Sequence, residues 1–211
     1  MLDDPTERAR LILLRHPELG SGQKDAAMGQ LDGELSRRGM QHTVAVLRLL
    51  AGVNIDAIFS SPAKHCIAAS EALSKDRGLP VQIEPRLLDQ TLGEWEGQAW
   101  ADLKKEHEAR VREFFHDYGL IAPPEGETLS DAVDRTLGWW NDTAADLEGQ
   151  TALVVSAAPL LSGFAARLLG LSIRRAPALA LPAAGVGMLD VYRDGAVVRC
   201  WHPLCLDDNL P

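Results

Sequence analysis

Three short apolar runs in this chain end in the same way, and that repetition constrains the fold more than any other feature. LILLRHP from Leu11, IFSSP from Ile58 and LVVSAAP from Leu153 each pass from strand-forming residues to polar or small ones and then to a proline. A short apolar run bounded by a breaker reads as a buried strand. Strands alternating with helical patterns predict a mostly parallel sheet covered on both faces, an α/β fold of three layers. Ligands of such sheets bind outside the carboxyl ends of the strands. Arg15 and His16, Ser60 and Ser61, and Ser156 and Ala157 all fall there.

The segments between the junctions are consistent with that fold. Leu19 to Leu35 is rich in glycine and polar residues and predicts a surface loop over the strand ends. Ser36 reads as an N-cap, and Met40, Val44, Leu47 and Leu50 form an apolar stripe that predicts a sheet-packing helix over 36–51. A second helix runs from Ala63 to Arg77 and is closed by Gly78, with Lys64 and His65 in its first turn. Lys64 is poorly placed beside the positive end of a helix dipole. Pro80 to Ile83 predicts a third strand, leading into RLLDQTLGEWEG, whose glycines let a carboxylate of Asp89, Glu94 or Glu96 reach the strand ends. The pattern is helical from Gln98 to Tyr118, and Thr128 and Asp131 have capping-box spacing at the start of another helix. Val186 to Val191 and Val197 to Trp201 predict an antiparallel pair at the sheet edge, joined through Asp194 and Gly195. Trp95 and Trp100 read as buried structural tryptophans rather than as an apolar wall for an organic ligand.

Charge and motif content exclude several function classes. A net charge of −9 disfavours a nucleic-acid surface, which needs clustered Lys and Arg. No window has the length and apolarity of a membrane span, and MLDDPTERAR lacks the pattern of a signal peptide, so a cytoplasmic protein is expected. The three cysteines, Cys66, Cys200 and Cys205, are expected to be reduced, and Cys200, His202 and Cys205 lack the partners of a zinc site. Neither a phosphate-binding glycine loop, a GxGxxG turn nor a GxSxG elbow occurs.

Together these residues resemble the histidine phosphatase superfamily, which includes the phosphoglycerate mutases and α-ribazole phosphatases. LILLRHPE is similar to the signature that carries the phosphorylated histidine. The resemblance therefore implies that His16 is the nucleophile and Arg15 a phosphate ligand. Gly29, Asp32, Leu35, Ser36, Gly39 and Gln41 resemble the segment that follows that signature. The stretch Ile58 to Pro62 resembles the family's Ser-Ser-Pro motif, LLDQTLGEWEG its general-acid loop, and GETL from Gly126 its Gly-Glu-Ser motif. VVSAAP from Val154 resembles the signature that ends in the second pocket histidine. The resemblance implies a single phosphoglycerate mutase-like domain over 1–211 with a helical cap at about 98–147, a small-molecule phosphate ester or other small anion as partner, and no cofactor. Whether the chain forms a homodimer is left open.

Four departures stand out. Pro17 follows His16 where the family has glycine, Asp89 stands at the glutamate acid with Glu94 as an alternative, His65 at a pocket arginine, and Ala157 at the second pocket histidine. Catalytic roles are thus expected for His16 and Asp89, and substrate contacts for Arg15, His65, Ser61, Glu94 and the position of Ala157. The first reading is a phosphomonoesterase working through phospho-His16 and impaired at Ala157. The others are a diverged enzyme doing acid–base chemistry on a small anionic metabolite and a noncatalytic binding protein on the same fold.

Overall fold

The computed structural model describes residues 9–20 and 25–202, the last by its backbone alone. The strands are β1 (Ala9–Arg15), β2 (Ala57–Ser60), β3 (Val81–Ile83), β4 (Thr151–Ser156), β5 (Val186–Tyr192) and β6 (Gly195–His202). The helices are α1 (Arg37–Leu49), α2 (Lys64–Arg77), α3 (Trp100–Glu106), α4 (Glu108–His116), α5 (Leu129–Thr143) and α6 (Ala158–Leu168). The strands form one mixed sheet in the order β3-β2-β4-β1-β5-β6. Its first four strands are parallel, and β5 and β6 add the expected antiparallel edge.

Alternation along the strands builds the three layers. Leu11, Leu13, Phe59 and Val154 face a core completed by Trp139 and Trp140 of α5 and Phe164 of α6. Ile12, Leu14, Ile58, Leu153 and Val155 point the other way, onto Val46 of α1 and Cys66 and Leu73 of α2. Because side chains alternate with a period of two, each strand supplies both cores. The register sets Arg15 beside Ser156 and Ser60 beside Val155. The three strand-to-helix junctions therefore end level with one another.

Two expectations about the helices are corrected. In α1, Met40 and Val44 of the expected stripe are 56% and 47% exposed, whereas Leu47 and Leu50 do pack into the core and Gly39, His42, Thr43 and Val46 are buried with them. At Gly39 an added Cβ would overlap the Glu18 carbonyl oxygen. That close approach turns Gly39, not Met40, inward at the start of the helix. The predicted helix over 98–118 is two helices, broken at His107 with φ −131° and ψ 37°. The break lets Leu103 of α3 and Val111 and Phe114 of α4 all pack round Trp95 in a satellite core. Trp95 is buried as expected.

Ser36 caps α1 by accepting a hydrogen bond from the Gly39 N–H, and Thr128 and Asp131 form the capping box of α5. The unfavourable Lys64 is offset by Asp32 in the loop above it. The Asp32 carboxylate accepts from the Lys64 backbone N–H at 2.8 Å and so caps α2 from outside. Among the described residues no helix is long and apolar enough to cross a membrane. Of Cys200, His202 and Cys205 only Cys200 has a described side chain, and it is exposed; Cys205 lies outside the described residues.

Candidate active site

His16 follows directly on β1, and its backbone is held on both sides. Its N–H donates to the Ser156 carbonyl at the end of β4, and its own carbonyl accepts from Ala184. The ring is almost fully buried, and Nδ1 lies 2.8 Å from the Pro17 carbonyl oxygen. A carbonyl can only accept, so Nδ1 carries the proton and the lone pair is on Nε2. Burial, then the neighbouring His65 and Arg15, push the His16 pKa down to about 3. At neutral pH the imidazole is therefore uncharged and nucleophilic at Nε2.

Arg15 projects from the last residue of β1. Its Nη1 donates to the Leu181 carbonyl at 2.8 Å, while Nε is buried and has no protein partner. Burial lowers its pKa and Asp89 raises it. An arginine keeps its charge regardless. Across from it, His65 at the first turn of α2 sets its ring 4.3 Å from that of His16, edge to face at 61°. The His65 pKa is also lowered by burial, against Asp32 and a hydrogen bond to the Gly33 backbone.

The third corner is Asp89. Burial pushes its carboxyl up to about 7, against a hydrogen bond from the Gln90 backbone and the charges of Arg135 and Arg15. Its Oδ1 is buried and has no protein partner. The loop that carries it is tied down by residues outside the expected set. Arg135 on α5 donates to the Asp89 carbonyl and to Glu127 Oε1, both at 2.9 Å, and the same Glu127 oxygen accepts from Thr91 N–H. Glu96 Oε1 accepts from Gln30 N–H, Thr91 Oγ1 and Leu92 N–H. Glu127 precedes the Thr128 N-cap and Arg135 lies within α5, so their pairing is a tertiary contact that no local spacing in the sequence announces.

These groups line one cleft of about 420 Å³, which holds Arg15, His16, His65, Asp89 and Ala157 together. Ala157 is the N-cap residue of α6 and offers no side-chain cap; of the first-turn residues that line the cleft, Ala158 carries a backbone N–H and Pro159 has none. The other expected residues are placed differently. Ser61 is buried behind His65 and lines a small side pocket rather than the cleft. Glu94 is exposed and lines none of these spaces. Trp100, expected to be buried, is half-buried and forms part of the cleft wall. Among the described residues no group of three or more His, Cys, Asp or Glu is arranged to hold a metal ion.

Comparison with known proteins finds a matching family, relatives and folds. The profile of the histidine phosphatase superfamily (branch 1) matches residues 11–203. The chain is 29% identical to a glucosyl-3-phosphoglycerate phosphatase of Mycolicibacterium vanbaalenii, over 81% of this chain and 78% of that protein. It is 30% identical to the adenosylcobalamin/α-ribazole phosphatase of Escherichia coli, over 77% of this chain and 80% of that protein. Among solved structures, a mycobacterial glucosyl-3-phosphoglycerate phosphatase in complex with VO3 superposes with a TM-score of 0.83 at 25% identity, covering 92% of this chain and 99% of that one. The α-ribazole phosphatase of Shigella flexneri shares the fold at a TM-score of 0.82 and 24% identity, over 91% and 95% of the two chains.

Proposed function

Because the chain belongs to the histidine phosphatase superfamily, we propose that it is a phosphomonoester hydrolase that carries the phosphoryl group on His16. The observation that supports this most is the state of His16, a buried neutral imidazole whose Nδ1–H is held by the Pro17 carbonyl. Its Nε2 lone pair attacks phosphorus. The N–P bond forms as the P–O bond to the leaving group breaks, and the departing oxygen takes the proton of Asp89. The positive charge then placed on the ring is shared with the Pro17 carbonyl. In the second half-reaction a water oxygen attacks phosphorus and gives its proton to the Asp89 carboxylate. The N–P electrons return to Nε2, and inorganic phosphate leaves.

Charge on the phosphoryl oxygens is met by Arg15, by the Ala158 backbone N–H at the start of α6 and by His65, which gains a proton when a phosphate dianion arrives. A cleft of about 420 Å³ suits a small-molecule ester. Ala157 contributes only a methyl group. The loss of one preorganised donor costs about 2.7–4 kcal/mol of transition-state stabilisation, or roughly 100- to 1,000-fold in rate. The enzyme therefore turns over slowly.

Ala157→His is expected to raise kcat for phosphate release from simple phosphomonoesters by roughly 100- to 1,000-fold, and His16→Ala to abolish release in both backgrounds. No gain on restoring the histidine would overturn the impairment. Release that survives His16→Ala would overturn the nucleophile.

A further inference from the structure

The cleft continues into a second space that the hydrolytic chemistry leaves unused. This annex has a volume of about 120 Å³ and shares Asp89, Leu92, Trp100 and Pro159 with the cleft. Its far wall is Phe114, Phe115 and Tyr118. Asp89 is its one ionisable carboxyl, and the rest of the lining is mostly apolar or aromatic. An apolar cavity of about 150 Å³ is large enough to hold benzene. The annex therefore matches one six-membered ring or a branched alkyl group of that bulk, and it is too small for two fused rings.

Its walls are stiff. Trp100 stacks on Phe114 with centroids 6.1 Å apart at 25° and tilts against Phe115 at 5.2 Å. Buried Trp95 meets Phe114 edge-on behind them at 5.4 Å. Phe115 keeps 47% of its surface exposed. An occupant in contact with that ring would remove apolar surface from water. The position of Asp89 links the two spaces: with phosphate in the cleft and a ring in the annex, the ester oxygen between them lies at the proposed acid.

Resting on the phosphomonoesterase reading above, we propose that the annex is the leaving-group subsite. The preferred substrates are phosphate esters of alcohols that carry one apolar ring or compact branched alkyl group next to the ester oxygen. Phe115 and Trp100 select them.

The test uses ligands that cannot be hydrolysed, so that binding is read apart from turnover. Calorimetry on the intact protein is expected to show benzylphosphonate binding roughly 10- to 100-fold more tightly than ethylphosphonate. Phe115→Ala, at a half-exposed position outside the phosphate cleft, is expected to remove most of that preference and leave the affinity for inorganic phosphate unchanged. Benzyl phosphate should likewise exceed glycerol phosphate in kcat/KM, the two leaving alcohols being of comparable basicity. Equal affinity for the two phosphonates, or a preference that survives Phe115→Ala, would overturn the subsite while leaving the hydrolase reading intact. No binding of phosphate or of either phosphonate would overturn both.

Discussion

At neutral pH Asp89 keeps part of a proton that a free aspartic acid gives up, while His16 stays uncharged well into the acid range where a free histidine is protonated, and folding supplies the work. For His16 the folded pKa is lowered from 6.5 to about 3. The unfolded chain binds the extra proton first, so this contribution to stability is complete above about 6.5 and is lost as pH falls toward 3. Asp89 has the opposite sign. Its pKa is raised from 3.8 to about 7, so the folded state keeps a proton that the unfolded chain releases. Stability from this group is greatest below 3.8, falls as pH rises to about 7, and stays reduced beyond. Asp89→Asn is therefore expected to raise the melting temperature at pH 8, by a stabilisation on the order of 1–3 kcal/mol, and to leave it nearly unchanged at pH 4. The same substitution should lower phosphate release by roughly 100- to 10,000-fold. Thermal melts and steady-state rates at the two pH values check both halves. A melting temperature that does not respond at pH 8 would show that folding does not raise the pKa of this carboxyl.

At the scale of elements, the acid loop shows what the sequence discloses and what it hides. Strand ends, the Ser36 cap and the capping box were legible because each is a local pattern with a fixed spacing. The α1 stripe held at Leu47 and Leu50 but misled at Met40 and Val44 for a tertiary reason, since Gly39 approaches Glu18 at the start of the helix. Glycines near Asp89 suggested a tight turn, but not what the turn closes against. Gly93 has φ 54°, and a Cβ there would overlap the Pro124 carbonyl oxygen of the segment leading to Glu127. The two segments thus touch backbone to backbone. Gly93→Ala is expected to cost about 1–3 kcal/mol of stability, read from urea unfolding. Gly52→Ala is the matched control, because a Cβ there meets nothing within 4 Å and needs no unusual backbone angle. Equal midpoints for the two variants would contradict the close approach. Glu94 illustrates a limit of loop reading: it lies five residues from Asp89, yet its side chain is exposed while Asp89 is turned into the cleft.

For the whole molecule, the sheet order explains why three distant stretches of sequence make one site. Inserting β4 between β2 and β1 brings Ala157 beside His16 and leaves the ends of three parallel strands adjacent. The repeated strand-to-helix junctions predicted the shared edge but not the order of the strands, which tertiary pairing decides. The anchoring of the antiparallel edge was not legible either, because it depends on residues about 180 positions apart. Asp190 of β5 is fully buried and accepts from Arg10 of β1 at 2.7 Å and from Arg199 of β6 at 2.6 Å. One carboxylate joins three strands, and removing its charge leaves two guanidinium groups without it. Asp190→Asn is expected to lower the urea midpoint without altering any group that lines the cleft, and an unchanged midpoint would show the clamp to be dispensable. The proposed chemistry sets a neutral histidine against a carboxyl whose pKa is raised to about 7, and its direct test is to look for the phosphoryl group itself. The protein is mixed with a phosphomonoester, quenched in alkali within the first turnover and digested. The account predicts an acid-labile, alkali-stable phosphoryl group on the peptide that contains His16, absent from His16→Ala. Phosphate release with no such adduct, or with the adduct on another residue, would contradict it.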